Sequence, residues 1–191
     1  MDYKTLTDEQ LWKLISTGDR TAFGFVFKTL AKDLFKYGWK FTSDKSLIED
    51  VIQDVFIGLW NSREKAKIEK SIKFYLITAF RRELIRRVSS ERKFGGLENC
   101  SENHFVQISQ MELNLRNQEL LQTDNDLHEA IGQLTSRQRE AIYLKYFVEL
   151  SYEEIAATLD MQVPSLYNLI MKAMKSLKTI MKKEKLILNV K

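Results

Sequence analysis

The chain has 191 residues, 44% of them hydrophobic, with a formal net charge of +4, one proline, seven glycines and one cysteine. This length fits one large or two small domains, and the scarcity of helix punctuation predicts an all-α fold of long helices. The lone Cys100 excludes an internal disulfide and a cysteine-rich zinc site, no run approaches the roughly 20 apolar residues that cross a bilayer, and the polar N-terminal MDYKTLTDEQ does not read as a signal peptide, so a reducing cytoplasm is expected.

The first predicted helix runs from Asp8 to Thr17 behind a Thr7 cap, presents Leu11, Trp12, Leu14 and Ile15, and stops at Gly18. The second, Arg20 to Trp39, turns Phe23, Val26, Phe27, Leu30, Leu34, Phe35 and Tyr37 to one side. Ser46 to Asn61 is the third, with Ser46 and Glu49 at capping-box spacing. Its core side is Val51, Ile52, Val55, Phe56, Leu59 and Trp60. Its other side clusters Glu49, Asp50, Gln53 and Asp54. Phosphate repels such a face, so a basic protein is the better partner for it. The fourth helix, Lys70 to Arg92, mixes Phe74, Tyr75 and Phe80 with Arg81, Arg82, Arg86 and Arg87. Rings stack unpaired bases and guanidiniums hold phosphates, although most of these aromatics also fit a core.

From residue 93 the pattern breaks. Residues 93–123, with Gly95-Gly96 and many polar residues, read as a flexible linker, partly helical where leucines recur at 113, 115, 120 and 121. A second domain opens near Asp124 with Leu127, Ile131 and Leu134. Thr135 or Ser136 then caps a support helix containing Arg137 to Phe147. Ser151 and Glu154 form a capping box for the next helix, whose stripe is Ile155, Ala156 and Leu159. A turn at 160–163 leads to Pro164 at a first helical position. The last helix places Leu166, Leu169, Ile170, Ala173, Met174 and Leu177 inward and Ser165, Tyr167, Asn168, Lys172 and Lys175 outward. This is a helix-turn-helix pattern suited to a major groove; an ordinary helical hairpin is the alternative reading.

Charge is partitioned along the chain. Residues 61–93 carry eleven Lys/Arg against four Glu, residues 164–191 seven Lys against one Glu, and residues 94–131 seven acids against Arg116 alone. Two basic blocks around an acidic one suggest two polyanion-binding lobes on a segment that binds none. His104 and His128 are isolated in sequence. No nucleophile, metal or phosphate-loop pattern emerges, so neither a cofactor, a small-molecule substrate nor an enzymatic activity is expected.

EDVIQDVFIGLW, then FYLITAFRRELIRR, a linker, and LTSRQREAIYLKYF with ELSYEEIAATL together resemble an RNA polymerase sigma factor of the sigma-70 family, of the extracytoplasmic-function type, which retains only regions 2 and 4. The resemblance implies region 2 over residues 1–92 and region 4 over 124–191. It implies that Glu49, Asp50, Gln53 and Asp54 dock on the β′ clamp helices of bacterial core RNA polymerase, with the β subunit as a further contact. It implies that Lys67, Ile68, Lys70 and Ser71 build a pocket for a flipped base of the −10 promoter element, with Tyr75, Arg81 and Arg82 along the DNA. Ser165, Tyr167, Asn168 and Lys172 would read the −35 element, and an anti-sigma factor would hold the protein inactive. Two positions depart from the pattern. Arg82 stands where Asn is frequent, and Tyr167-Asn168-Leu169 stands where a Lys/Arg-rich triplet is common. A stand-alone helix-turn-helix regulator and a helical protein adaptor are the other classes the residues allow.

Overall fold

The computed structural model describes residues 2–66, 68, 71–94 and 130–188, with side chains described to Ser90 in the first stretch of helices and to Met181 in the last. The chain divides into two compact units, Met1–Cys100 and Ser101–Lys191. Among the described residues there are helices and turns but no strand, as the composition predicts.

The first unit holds a short 3-10 turn, Tyr3–Thr5, and four helices: α1 Asp8–Ser16, α2 Arg20–Gly38, α3 Lys45–Ser62 and α4 Ile72–Phe94. Thr7 opens α1 through a reciprocal capping box with Gln10. Asp19 opens α2 by accepting from the N–H groups of Thr21 and Ala22 at 2.8 and 3.0 Å. The predicted Ser46–Glu49 box does not form. Asp44 caps α3 instead, accepting from the Leu47 N–H at 3.0 Å. A carboxylate caps as well as a hydroxyl, and Glu49 faces Lys45 at 3.5 Å, one turn back.

α4 starts at Ile72 rather than Lys70. Two of its orphan donors are answered before the helix begins. The Ser71 hydroxyl accepts from the Phe74 N–H at 2.9 Å. Asp8, in the first turn of α1, accepts from the Ile72 N–H at 2.9 Å. A carboxylate there also suits the positive end of the helix dipole.

Tyr37, Phe41, Ile48, Leu59, Leu76, Ile77, Phe80 and Leu84 fill the core between α2, α3 and α4. Gly38 permits the close approach: a Cβ there would lie 2.8 Å from Phe80 and 2.9 Å from Ile48. Phe27 departs from the core expectation, since its ring is 38% exposed at the edge of the aromatic cluster.

The second unit holds α5 Ser136–Tyr146, α6 Tyr152–Thr158 and α7 Val163–Leu188. Thr135 is the cap of α5, in a box with Gln138, and Ser151 and Glu154 box α6 as predicted. Of the helix predicted near Asp124, its end at 130–132 is described; the earlier part and linker residues 95–123 lie outside the described residues. Lys93 and Phe94, assigned to the linker from sequence, belong to α4. Arg139 ties the preceding turn to α5 by donating to the carbonyls of Gly132 at 3.0 Å and Leu134 at 2.5 Å; burial pushes its pKa down. Asp160, with a φ of 51°, reverses the chain after α6. α7 begins at Val163, so Pro164 is its second residue, where a missing N–H is equally harmless. Leu144, Ile155, Leu166, Ile170, Ala173 and Leu177 are buried together, and small Ala156 is buried on α6. Met174, expected inward, is 43% exposed.

Candidate functional site

Glu49, Asp50, Gln53 and Asp54 are all exposed on α3. Spacings of four link Glu49 to Gln53 and Asp50 to Asp54, and one of three links Asp50 to Gln53, so the four make two adjoining rows along one side of α3. Asp54 is not alone there: it accepts a short hydrogen bond from the Arg87 guanidinium of α4. Arg87 also donates to Glu83 at 2.7 Å, and Arg86 grips the same carboxylate at 2.6 and 2.9 Å. The hydrogen bonds from Arg86, opposed by burial and reinforced by Arg87, hold the Glu83 carboxyl down at about 2. The bond to Glu83, and then that to Asp54, raises the pKa of Arg87.

Next to this face lies an open groove of about 450 Å³ between α2 and α3, lined by Arg20, Phe23, Phe27, Gln53, Phe56, Ile57 and Trp60. Its floor is fixed by aromatic contacts, Phe23 to Trp60 at 4.9 Å and Phe27 to Phe56 at 4.8 Å. Ile57 stands 55% exposed at its rim. Sequence reasoning missed this groove. Its signal is an isoleucine one turn after Gln53, on the polar side of α3.

On α4, Tyr75, Arg82 and Arg86 recur at spacings of seven and four and so share one stripe. Arg82 and Arg86 are exposed and Tyr75 is half-buried. Arg81 points about 100° away from Arg82 and is half-buried and engaged with neighbours. Ser71 spends its hydroxyl on the helix start, and Ile68 is half-buried. Lys67 and Lys70 lie outside the described residues.

On α7, Ser165, Asn168, Lys172 and Lys175 are exposed along a single polar stripe. Tyr167 is exposed but belongs to the neighbouring stripe. Its ring lies flat on Tyr152 of α6, centroids 4.1 Å apart and 11° from parallel. Lys145 of α5 covers the Tyr152 ring at 4.6 Å. Tyr167 therefore braces the helix-turn-helix as well as facing solvent. Among the described residues, no group of three or more His, Cys, Asp or Glu could hold a metal ion, and no helix is long and apolar enough to cross a membrane.

Residues 26–94 match the family Sigma-70 region 2, and residues 124–177 match Sigma-70, region 4. The chain belongs to the sigma-70 family of RNA polymerase sigma factors. Like other sigma factors it is a transcription initiation factor, and its two regions are of the kind that bind RNA polymerase and promoter DNA. Sigma factors are not an enzyme family. Region 2 takes in most of α2 and all of α3 and α4; region 4 takes in α5, α6 and much of α7. Solved structures share the fold, two of them with TM-scores above 0.6. One is the sigma factor RpoE in complex with the anti-sigma factor NepR from Bartonella quintana, 21% identical, with a TM-score of 0.61 over 84% of this chain and 96% of that one. The other is CnrH in complex with the cytosolic domain of CnrY, 20% identical, with a TM-score of 0.63 over 92% and 97%. No curated protein matches the chain.

Proposed function

We propose that this sigma factor is of the extracytoplasmic-function type and that α3 is its docking helix for core RNA polymerase. One observation carries the reading: within one unit, an exposed acidic face on α3 stands apart from a basic, aromatic stripe on α4. The first suits a basic protein surface and is repelled by phosphate; the second suits an opened promoter. Asp50, Gln53 and Asp54, with Glu49 at the edge, meet the clamp helices. Tyr75 and Arg82 accompany the melted strand, where unstacking a base costs a few kcal/mol that pocket contacts must offset. α7 enters the major groove of the upstream element through Ser165, Asn168 and Lys172. The protein works in the cytoplasm, where its polymerase is, and supplies binding and opening while the polymerase supplies the chemistry. The solved likeness that includes an anti-sigma factor supports an inhibitor of that class as a second protein partner.

Co-purification with bacterial core polymerase tests the docking face. An Asp50→Lys/Asp54→Lys variant is expected to bind core roughly tenfold or more weakly than wild type. Asp50→Lys alone keeps the Asp54–Arg87 bond and should lose a smaller share. A doubly reversed variant that folds and still binds as wild type would overturn the assignment of α3. Failure of the wild type to bind core would return the stand-alone regulator.

A further inference from the structure

α7 carries two outward stripes. Ser165, Asn168, Lys172 and Lys175 form a polar one; Tyr167, Met171 and Met174, at spacings of four and three, form an apolar one beside it. Tyr167 is committed to its stack on Tyr152. Met171, one turn further, is 67% exposed, the highest value among the large hydrophobic side chains of the described residues. An unbranched thioether left in water in the middle of a recognition helix calls for an occupant.

The surroundings select it. Lys172 and Lys175 flank Met171 along the polar stripe and Lys178 follows Met174 on the apolar one, all exposed. That rim suits a polyanion. Every base pair shows donors and acceptors in the major groove, but its one apolar group is the thymine 5-methyl. Asn168 stands three residues before Met171, and Asn is the residue type that pairs bidentately with adenine. Residues three apart on a helix hold their Cβ atoms about 5–6 Å apart. Successive base pairs rise about 3.4 Å. An adenine edge and a thymine methyl on the same or adjacent pairs are therefore within reach of this couple.

We propose that Met171 is a specificity-determining residue, reading the 5-methyl group of thymine in the upstream promoter element beside an adenine read by Asn168. The inference rests on the reading that α7 enters the major groove. The flexible, polarizable methionine side chain follows a methyl group without demanding fixed geometry.

The experiment uses holoenzyme reconstituted with core polymerase. Its upstream motif is selected from random duplexes, then rebuilt with deoxyuridine replacing thymidine in that element alone. The wild type is expected to bind the uracil duplex roughly 3- to 5-fold more weakly, the size of one lost methyl contact. Met171→Ala should bind both duplexes equally. Asn168→Ala should lose the adenine preference and keep the methyl preference. Equal binding of both duplexes by the wild type, with a motif still selected, overturns the role of Met171 and leaves α7 in the groove. Selection of no upstream motif by an intact holoenzyme overturns the groove reading itself. A Met171→Ala variant that keeps the methyl preference but loses core polymerase would make the apolar stripe a protein-docking face.

Discussion

The cations of α4 and those of α7 are set differently. On α4, Arg86 and Arg87 share Glu83, and Arg87 reaches across to Asp54 on α3. Their guanidiniums are held in place before any ligand arrives. On α7, Lys172 and Lys175 are exposed and form no ion pair among the described residues. The first arrangement gives geometry at the expense of net attraction. The second gives attraction that salt screens. On the proposed roles, region 2 would meet a distorted strand in one pose, whereas region 4 would approach an intact duplex from a distance.

Three changes would break or sharpen that contrast. The largest effect is expected from Lys172→Ala/Lys175→Ala. Each lost phosphate contact should flatten the log-affinity against log-salt slope of the holoenzyme on promoter DNA by about 0.9, leaving binding at high salt nearly unchanged while weakening it severalfold at low salt. A slope equal to wild type would show that α7 does not touch phosphate. Next is Glu83→Gln, which leaves two arginines without their shared carboxylate and should cost about 1–2 kcal/mol of stability in thermal unfolding at neutral pH. The sign with pH is fixed by the depressed carboxyl. Its contribution is fully present above the ordinary 4.5 and is lost as pH falls through about 2. The stability gap between wild type and variant should therefore shrink over that window; a gap independent of pH would contradict the network. Smallest is Asp54→Asn. Asp54 is 54% exposed, so its bond to Arg87 is screened, and a change of about 0–1 kcal/mol is expected in the same assay. A larger loss would mean that α3 and α4 depend on this pair for their alignment.

Most of the fold was legible because its signals are local. The Thr7 cap and the box of Ser151 with Glu154 act within three residues, and the apolar repeats of α2, α4 and α7 bury as a period of 3.6 requires. The exceptions sit where a boundary is ambiguous or a partner is distant. Asp44 and Ser46 are both good caps two residues apart, and sequence does not rank them. Met174 and Phe27 lie at the edges of their stripes, where a helical wheel cannot say which side wins. The face holding Asp50 and Gln53 was visible as a cluster of acids. The tie from Asp54 to Arg87 was not, because it joins residues 33 apart. The same holds for Tyr167, whose partner Tyr152 lies across the turn on another helix.

The bond from Asp8 to the start of α4 spans 64 residues. In kinetic terms, the first turn of the arginine helix is completed only when that long loop closes, and loop closure of this length is an entropic cost borne before its reward. The opening helix emerges first during synthesis and has to wait for its carboxylate to be used. A clipped or frayed N-terminus would thus be felt far along the chain, as a loosened entry to the helix that carries Tyr75 and Arg82.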